Sequence, residues 1–445
     1  GSSVDENTLF AIGSTTKAFT SALLGQLVEQ GEIVWSDRVT DQLPWFQLHD
    51  PWVTRELTIR DLLTHRSGLP RCDLLWHSTN YDRREILRRV RHCEPEFSFR
   101  SQLGYQNIMY LAAGRLAADV AGTRWDRLVE DRIFGPLGMD RSNTSVDSLE
   151  GMSNVATPHA EMDGTVRTMP WRDIDNIGPA GSINSSAREM AQWLRLQLNE
   201  GSYEGQRLMA DSSLTEIRQP HMVMEELPDA TPPSLFPTNH FTAYGFGWVL
   251  FDHRGRKVVR HGGLIDGMQT EVGLIPEEDL GVVVLTNYSG NDLGPPLMFR
   301  IFNSYLDAPR KDWAGEYRSV YDSLEAEEQK REQELREARV ADTSPSLDRE
   351  AYTGTYRNEL YGTMKMTGSD EGLRIEAMDS YGGTLDHWHF DTYRVTWDQV
   401  VYRDFPLETK LITFQLDPRG EVSALKHPQL GTFQAVESSE DSGGG

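Results

Sequence analysis

The sequence has few cysteines, no long apolar run and fewer basic than acidic residues, and each shortage excludes a class of protein. Only Cys72 and Cys93 occur in 445 residues, too few for a disulfide-rich scaffold or a four-cysteine metal site. No apolar run approaches the roughly 20 residues of a membrane-spanning helix. The 44 Lys and Arg residues against 68 Asp and Glu residues give a net charge of −24. This acidic excess argues against nucleic acid as a partner, because binding a polyanion needs a basic face.

What the sequence contains is enough apolar material for folded domains. Hydrophobic residues make up 38% of the chain and aromatic residues 9%, which excludes wholesale disorder. A length of 445 residues favours two or three domains. The two cysteines can form one bridge or remain two unrelated buried thiols, and the sequence leaves both open.

The composition changes near residue 316, and the part before it predicts an α/β body over residues 1–315. A helix is predicted over Thr15–Gln30, and the capping box Ser186–Glu189 opens another. Lys257–Arg260 and Leu280–Thr286 are predicted strands.

The part after the change predicts a connector and a second domain. Residues 316–347 are highly charged with few apolar positions, which predicts a helical linker. Residues 348–438 alternate with period two and are rich in aromatics, which predicts a small all-β domain with turns at Gly382–Gly383 and Asp417–Gly420. Residues 439–445 are expected to be a flexible tail.

The first candidate for chemistry is Ser14-Thr-Thr-Lys17, at the beginning of the first predicted helix. Residues three apart on a helix share a face, so the Lys17 amine can take the Ser14 proton. The helix N-terminus adds free backbone N–H groups that stabilise developing negative charge. The ordinary structural alternative is that Ser14 caps the helix and Lys17 is a solvated charge.

Two further triplets could complete a site. Tyr105-Gln-Asn107 offers a tyrosinate base and an orienting amide, or else a core tyrosine and a helix cap. His261-Gly262-Gly263 offers a hydrogen bond or a positive charge beside glycines that let a substrate backbone approach a strand. The alternative there is a satisfied polar group beside a glycine bulge.

Each short pattern recurs elsewhere in the chain, so context must separate the candidates from the decoys. Ser423 and Lys426 repeat the first spacing, but in a predicted strand side chains three apart point to opposite faces. His253 repeats the third pattern on a predicted hairpin tip, where we expect it to be exposed. Only Ser14, Tyr105 and His261 occupy a helix start, a loop before a helix and a strand end in that order.

With these motifs the chain resembles the serine β-lactamase and penicillin-binding-protein superfamily of serine hydrolases, on the class C β-lactamase and esterase side. The resemblance covers about Leu9 to Asn291. It is carried by the segments Phe10–Lys17, Leu62–Pro70, Tyr105–Asn107, Pro179–Ser182, Tyr244–Trp248, His261–Gly263 with Gly267, and Val284–Asn287. The β region resembles, more loosely, the lipocalin-like module often appended to such hydrolases.

The resemblance implies a fold and a set of roles. The fold is a β-lactamase-like antiparallel sheet flanked by helices, with an all-helical subdomain, followed by a small barrel-like β domain. Ser14 is the acylated nucleophile, Lys17 its activating partner and Tyr105 the proton relay. The substrate-binding residues would be Asn107, His261, Gly262, Gly263 and Leu264, the backbone N–H of Leu264 forming the oxyanion hole with that of Ser14.

The chain departs from the family pattern in two places. His261 stands where β-lactamases of this group have the lysine of K-T-G, which puts efficient β-lactamase activity in doubt. Relatives also have a helix and two strands before the serine helix, whereas Ser14 comes almost at the beginning of this sequence. The resemblance thus implies either that the chain is truncated or that something else fills the place of those elements. In the first case we expect the sheet to lack strands that pair beside the His261 strand.

The sequence predicts a serine hydrolase that needs no metal or cofactor and acts through an acyl-enzyme on small esters or amides. D-aminopeptidase or D,D-peptidase activity and weak β-lactamase activity are the alternatives, so the partner is a small ester, peptide or β-lactam. A hypothesis of another class is a non-catalytic binding or scaffold protein that has kept the fold.

Overall fold

The computed structural model describes residues 3–77, 79–162, 164–224, 235–236, 239–290, 293–369, 372–377, 381–398 and 410–436. The chain divides into two compact units. The first comprises Gly1–Asp73 and Asp82–Leu324, and the second comprises Leu74–Tyr81 and Glu325–Gly445. In the described ranges no helix has both the length and the apolar character to cross a bilayer. The tail expected at 439–445 lies outside them.

The helices precede, interrupt and follow the strands of the first unit, as an α/β body requires. They are α1 Thr16–Glu29, α2 Val39–Gln42, α3 Pro51–Glu56, α4 Ile59–Leu63, α5 Arg83–Arg89, α6 Asn107–Ala121, α7 Trp125–Val129, α8 Gly135–Leu137, α9 Gly178–Gly181, α10 Ala187–Leu198, α11 Asp211–Ile217 and α12 Gly294–Tyr305. Helix α13, Trp313–Glu337, begins in the first unit and ends in the second. The strands of the first unit are β1 Phe10–Ala11, β2 His159–Met162, β3 Thr165–Thr168, β4 Asn184–Ser185, β5 Ser202–Tyr203, β6 Gln206–Arg207, β7 Met222–Val223, β8 Thr242–Tyr244, β9 Val249–His253, β10 Arg256–Ile265, β11 Met268–Ile275 and β12 Leu280–Thr286.

The main sheet of the first unit is antiparallel, with the described strands in the order β12-β11-β10-β9-β8-β7. The predicted fold class is therefore confirmed. The expected loss of strands beside the His261 strand is wrong for Arg256–Arg260, where β10 lies between β9 and β11, whereas beyond Arg260 only β11 pairs with β10. The outermost described strands of this sheet are β12 and β7. Strand β10 also continues to Ile265, so His261 lies within the strand rather than at its end.

The two predicted helices form, but their local interactions differ in detail. Helix α1 covers Thr16–Glu29 and is buried from Thr16 to Leu27, because it packs on several sides and not on one apolar stripe. Helix α10 begins after Ser186, whose Oγ accepts the Glu189 N–H at 3.3 Å. The Glu189 carboxylate accepts instead from Arg141 N and Ser142 Oγ, so only half of the capping box is made.

His253 is a correction to the sequence prediction. It is 5% exposed rather than solvated on a hairpin tip, and the turn itself is formed by the two residues after it. Its Nε2 lies 2.8 Å from Asn303 Oδ1, and rings of Phe236, Phe299 and Trp313 surround it. Those rings come from distant segments, so the local pattern could not reveal the burial.

The second unit contains a closed barrel of eight strands in sequence order. These are β13 Gly354–Asn358, β14 Gly362–Ser369, β15 Gly372–Ala377, β16 Tyr381–His389, β17 Thr392–Trp397, β18 Leu411–Leu416, β19 Val422–His427 and β20 Gly431–Val436. The predicted turn at Asp417–Gly420 is confirmed, whereas Gly382–Gly383 lies inside β16. A Cβ on Gly383 would lie 2.8 Å from Thr396 O, so the glycine serves close strand approach.

Segment Leu74–Tyr81 belongs to the same unit as the barrel, which no compositional boundary indicated. Within that unit, His77 Nδ1 lies 2.7 Å from the Tyr381 hydroxyl. A Cβ on Gly362 would lie 2.3 Å from the Tyr81 hydroxyl.

The two cysteines are bonded as Cys72–Cys93, which decides the alternative that the sequence left open.

Candidate active site

Ser14 lies in a single 3₁₀ turn, Gly13–Thr15, immediately before α1. The N-cap position of α1 is Thr15, and no side chain caps the helix by a hydrogen bond. Ser14 therefore does not serve as the cap that the structural alternative assumed. Its half-buried hydroxyl faces Lys17 one turn along, with Lys17 Nζ 3.0 Å from Ser14 Oγ.

Lys17 is fully buried and is not the solvated charge of the alternative interpretation. Besides Ser14, its Nζ donates to Asn107 Oδ1 at 2.8 Å and to the Ala180 carbonyl at 2.9 Å. Burial, helped by the positive charge of Arg71 and opposed by Asp73, holds the pKa of Lys17 well below its usual range. Burial disfavours the charged form of an amine, so the lysine is held as a base.

Asn107 is the first residue of α6 and connects Lys17 to a carboxylate. Its Nδ2 donates to Asp73 Oδ1 at 3.1 Å while its Oδ1 accepts from Lys17. Asp73 in turn accepts from Arg71 Nε at 2.6 Å. The amide is thus held at both ends, and its orientation toward the lysine is fixed.

Tyr105 places its ring against the lysine amine. Lys17 Nζ lies 4.9 Å from the ring centroid, and the Arg71 guanidinium lies 5.1 Å from the same centroid. The His65 ring is 4.4 Å away and the His261 ring 6.4 Å away, centroid to centroid. Tyr105 therefore lies between the side chains of Lys17 and Arg71 and the imidazoles of His65 and His261.

His261 is buried and is held as a neutral ring. Its Nδ1 lies 2.6 Å from the Gly262 carbonyl, which can only accept, so Nδ1 bears the hydrogen and Nε2 accepts from the Tyr244 hydroxyl at 2.9 Å. Burial lowers the pKa of His261 to about 3. His261 thus offers no positive charge at neutral pH, in contrast to a lysine at this position.

Two glycines let β10 approach the Ser14 turn closely. A Cβ on Gly263 would lie 2.0 Å from Ile12 O and 3.3 Å from Ser14 N, and one on Gly13 would lie 2.8 Å from Leu264 N. Gly13 also has φ +52°, a conformation that favours glycine. The backbone N–H groups of Ser14 and Leu264 are thereby brought to one place, while the Leu264 side chain is 65% exposed.

The structure thus brings together all eight residues singled out in the sequence. Five contributors went unpredicted: Arg71, Asp73, the Ala180 carbonyl, Tyr244 and His65. Three of them lie in segments already quoted for the resemblance, Leu62–Pro70, Pro179–Ser182 and Tyr244–Trp248. For Arg71 and Asp73 no spacing signal exists, because their partners in the site, Tyr105 and Asn107, lie in a distant segment of the chain.

The buried histidines predict a loss of stability in mild acid. Burial lowers the pKa of His65, His221, His253 and His261 below 6.5. The unfolded chain then binds protons first, so the free energy of unfolding falls as the pH drops below about 6.5, by about 1.4 kcal/mol per pH unit for each fully titrating histidine. Melting temperatures measured from pH 7.5 to 5.0 should fall steadily. A constant melting temperature would contradict these pKa directions.

Comparison with known proteins gives matches in both units. The sequence model of a family described as Beta-lactamase matches residues 1–300, and one described as a domain of unknown function (DUF3471) matches residues 338–439. An unguisins hydrolase from Aspergillus violaceofuscus is 29% identical over 82% of this chain and 68% of its own length.

Two solved structures share the fold. The octameric penicillin-binding protein homologue from Pyrococcus abyssi has a TM-score of 0.60 and 19% identity, over 97% of this chain and 89% of its own. A D-amino acid amidase from Ochrobactrum anthropi SV3 has a TM-score of 0.53 and 22% identity, over 65% of this chain and 79% of its own. At these identities the likeness is one of fold.

Proposed function

The chain belongs to the beta-lactamase family of serine hydrolases, and from this premise we propose that it cleaves small esters or amides through an acyl-enzyme on Ser14. Lys17 is the base that activates the serine, Tyr105 relays protons, and Asn107 orients both the lysine and the substrate. The names of similar proteins, which include hydrolase, penicillin-binding protein and D-amino acid amidase, argue against the alternative of a non-catalytic binding or scaffold protein.

The observation that carries the proposal is the set of neighbours around the Lys17 amine. A neutral amine has two N–H groups and one lone pair. Two of its neighbours, Asn107 Oδ1 and the Ala180 carbonyl, can only accept. The lone pair is then left for the third neighbour, the Ser14 hydroxyl at 3.0 Å, which is the arrangement that a general base requires.

In acylation, the Ser14 proton passes to Lys17 Nζ as Oγ bonds to the substrate carbonyl carbon. The carbonyl oxygen becomes an oxyanion, which the backbone N–H groups of Ser14 and Leu264 stabilise. As the intermediate collapses, the bond to the leaving group breaks, and Tyr105 passes a proton to the departing oxygen or nitrogen. Lys17 restores that proton, and the acyl group remains on Ser14.

In deacylation the same groups act in reverse on water. Lys17 and Tyr105 take a proton from water as its oxygen bonds to the acyl carbon, and the proton returns to Ser14 Oγ when the ester bond breaks. The products are the free acid and regenerated serine. Both halves of the reaction are thus assigned to Ser14, Lys17, Tyr105 and the backbone N–H groups of the oxyanion hole.

Because His261 is neutral, we expect the part of the substrate that lies beside it to be uncharged. A fixed cation would suit the carboxylate of a β-lactam, and His261 with its low pKa supplies none. D-aminoacyl amides or peptides are the second candidate. The segment His261–Ile265 of β10 favours them, because it pairs with β11 on one side only. On the other side, β9 pairs with β10 only as far as Arg260. An extended peptide can pair with such an edge.

Active-site labelling tests the proposal. A fluorophosphonate probe should modify wild-type protein at Ser14, located by peptide mass spectrometry, and Ser423 in the decoy motif should remain unmodified. Ser14→Ala should take no label. Label on wild type at another serine, or none on folded wild type, would overturn the proposal. Rates on a p-nitrophenyl ester, a D-alanyl anilide and nitrocefin then rank the substrate classes, with the ester expected first and nitrocefin last.

Opposite shifts of the pH profile should follow from the charges beside Lys17. Arg71 lowers the pKa of Lys17 and Asp73 raises it. Arg71→Gln should therefore move the acidic limb of kcat/KM to higher pH, because activity needs the neutral lysine. Asp73→Asn, which keeps an oxygen for the Asn107 amide, should move it to lower pH. Profiles that move together would show that this limb does not report Lys17.

A further inference from the structure

His65, in the loop after α4, has a left-handed backbone conformation, which is uncommon for residues other than glycine. Its φ is +54°, in a region that only a few per cent of non-glycine residues occupy, with asparagine, aspartate and histidine the most frequent among them. The residue is fully buried. Such a conformation persists only where surrounding contacts enforce it.

His65 binds the backbone on both sides of Tyr105. The Gly104 N–H donates to the His65 carbonyl at 2.7 Å, and the Gln106 N–H donates to His65 Nδ1 at 3.0 Å. Because Nδ1 accepts, the ring hydrogen lies on Nε2. The two flanking peptides are thus fixed by one residue, while its ring contacts the Tyr105 ring at 4.4 Å between centroids.

The His65 ring also connects Tyr105 to the His261 side of the site. It lies 4.8 Å from the Tyr244 ring, and the Tyr244 hydroxyl donates to His261 Nε2. The ring Nε2 of His65 itself is buried and has no hydrogen-bond partner in the described part of the chain. A buried donor left without a partner costs stability, so packing alone does not account for a histidine here.

We propose that His65 is a positioning residue that sets the location of the Tyr105 ring against Lys17 through the Gly104 and Gln106 peptides. The inference rests on the proposed role of Tyr105 in proton transfer. In the present arrangement Lys17 Nζ lies 4.9 Å from the centroid of the Tyr105 ring. Removing the Nδ1 acceptor of His65 releases the Gln106 N–H and lets the Tyr105 ring move away from this amine. A displacement of about 1 Å is enough to reduce turnover by about 100-fold.

Two substitutions separate the acceptor from the backbone conformation. His65→Asn keeps a side-chain acceptor and tolerates the left-handed φ, whereas His65→Gly tolerates the φ and lacks the acceptor. We expect kcat to fall by about 100-fold in His65→Gly with KM nearly unchanged, and His65→Asn to recover at least about ten-fold of that loss. His253→Asn, a buried histidine away from the site, controls for the loss of an imidazole from the core.

A double-mutant cycle with Tyr105→Phe gives the readout that a purely structural role would not produce. If His65 acts through Tyr105, His65→Gly should cost little further kcat once the Tyr105 hydroxyl is absent. Losses that multiply, or an Asn variant as slow as the Gly variant at equal melting temperature, would overturn the inference. Fluorophosphonate labelling of Ser14 in wild type distinguishes this failure from failure of the proposed function, because absent labelling rejects the latter independently of the cycle.

Discussion

Lys17→Met should reduce turnover by about 1,000-fold or more, the upper range for loss of a general base, while the protein remains folded. Methionine has a similar length and fills the same space. No other amine in the described residues lies within hydrogen-bonding distance of Ser14 Oγ. The rate of Ser14 labelling by a fluorophosphonate should fall in parallel, because the label reports the same activated hydroxyl.

Stability should respond far less than activity. The substitution leaves Asn107 Oδ1 and the Ala180 carbonyl without the lysine donor, which is destabilising, but it also removes the cost of burying an amine. The two effects oppose each other, and we expect the free energy of unfolding to change by no more than about 2 kcal/mol.

Lys257→Met is the matched control for this experiment. Like Lys17, Lys257 has a pKa that is lowered by burial, although it is only partly buried, and its Nζ donates to the Arg218 carbonyl. Its replacement should leave turnover unchanged. If Lys17→Met labels at nearly the wild-type rate, or if both lysine variants lose activity equally, Lys17 is not the base.

The sequence could predict the residues of the site wherever chemistry follows local spacing. Ser14 and Lys17 are one helical turn apart, and their hydroxyl and amine are found in contact. Asn107 is the first residue of α6, whereas the sequence pattern predicted it in the loop before the helix or at its cap, and the cap position is Gln106. Its partner is Lys17. The contact between Ser14 and Lys17 follows from helix geometry, whereas the contact between Lys17 and Asn107 joins residues 90 positions apart.

Contacts across the fold could not be predicted in the same way. His65 and Tyr105 are separated by 40 positions, and only the packing of α4 beside α6 brings them together. The same limit explains His253, which a turn pattern predicts as exposed and which distant aromatic rings bury. Segment Leu74–Tyr81 joins the barrel unit for a similar reason, since composition identifies boundaries only along the chain.

Gly263→Ala should disable the site through the backbone. The added Cβ would lie 2.0 Å from Ile12 O and 3.0 Å from Ile12 C. Backbone atoms cannot rotate away, so β10 must move from the Ser14 turn. The Leu264 N–H then leaves the position beside Ser14 N, and loss of one oxyanion donor reduces kcat by about 100- to 1,000-fold.

The fold itself should lose about 1–3 kcal/mol of stability, as an overpacked position does. Turnover is therefore compared well below the melting temperature of the variant. Gly368→Ala in the barrel is the control, since its nearest contact is Thr353 Cγ2 at 3.5 Å, an ordinary packing distance. It should change neither kcat nor labelling.

The separate effects on KM and kcat distinguish the loss of an oxyanion donor from general damage to the site. If the Leu264 N–H stabilises the oxyanion, Gly263→Ala should bind substrate with nearly unchanged KM and lose kcat, because the interaction forms only in the transition state. Gly13→Ala, whose Cβ meets Leu264 N from the opposite side at 2.8 Å, should produce the same pattern. A rise in KM with kcat intact in both variants would mean that the glycines admit the substrate backbone, and the oxyanion role of Leu264 would be rejected.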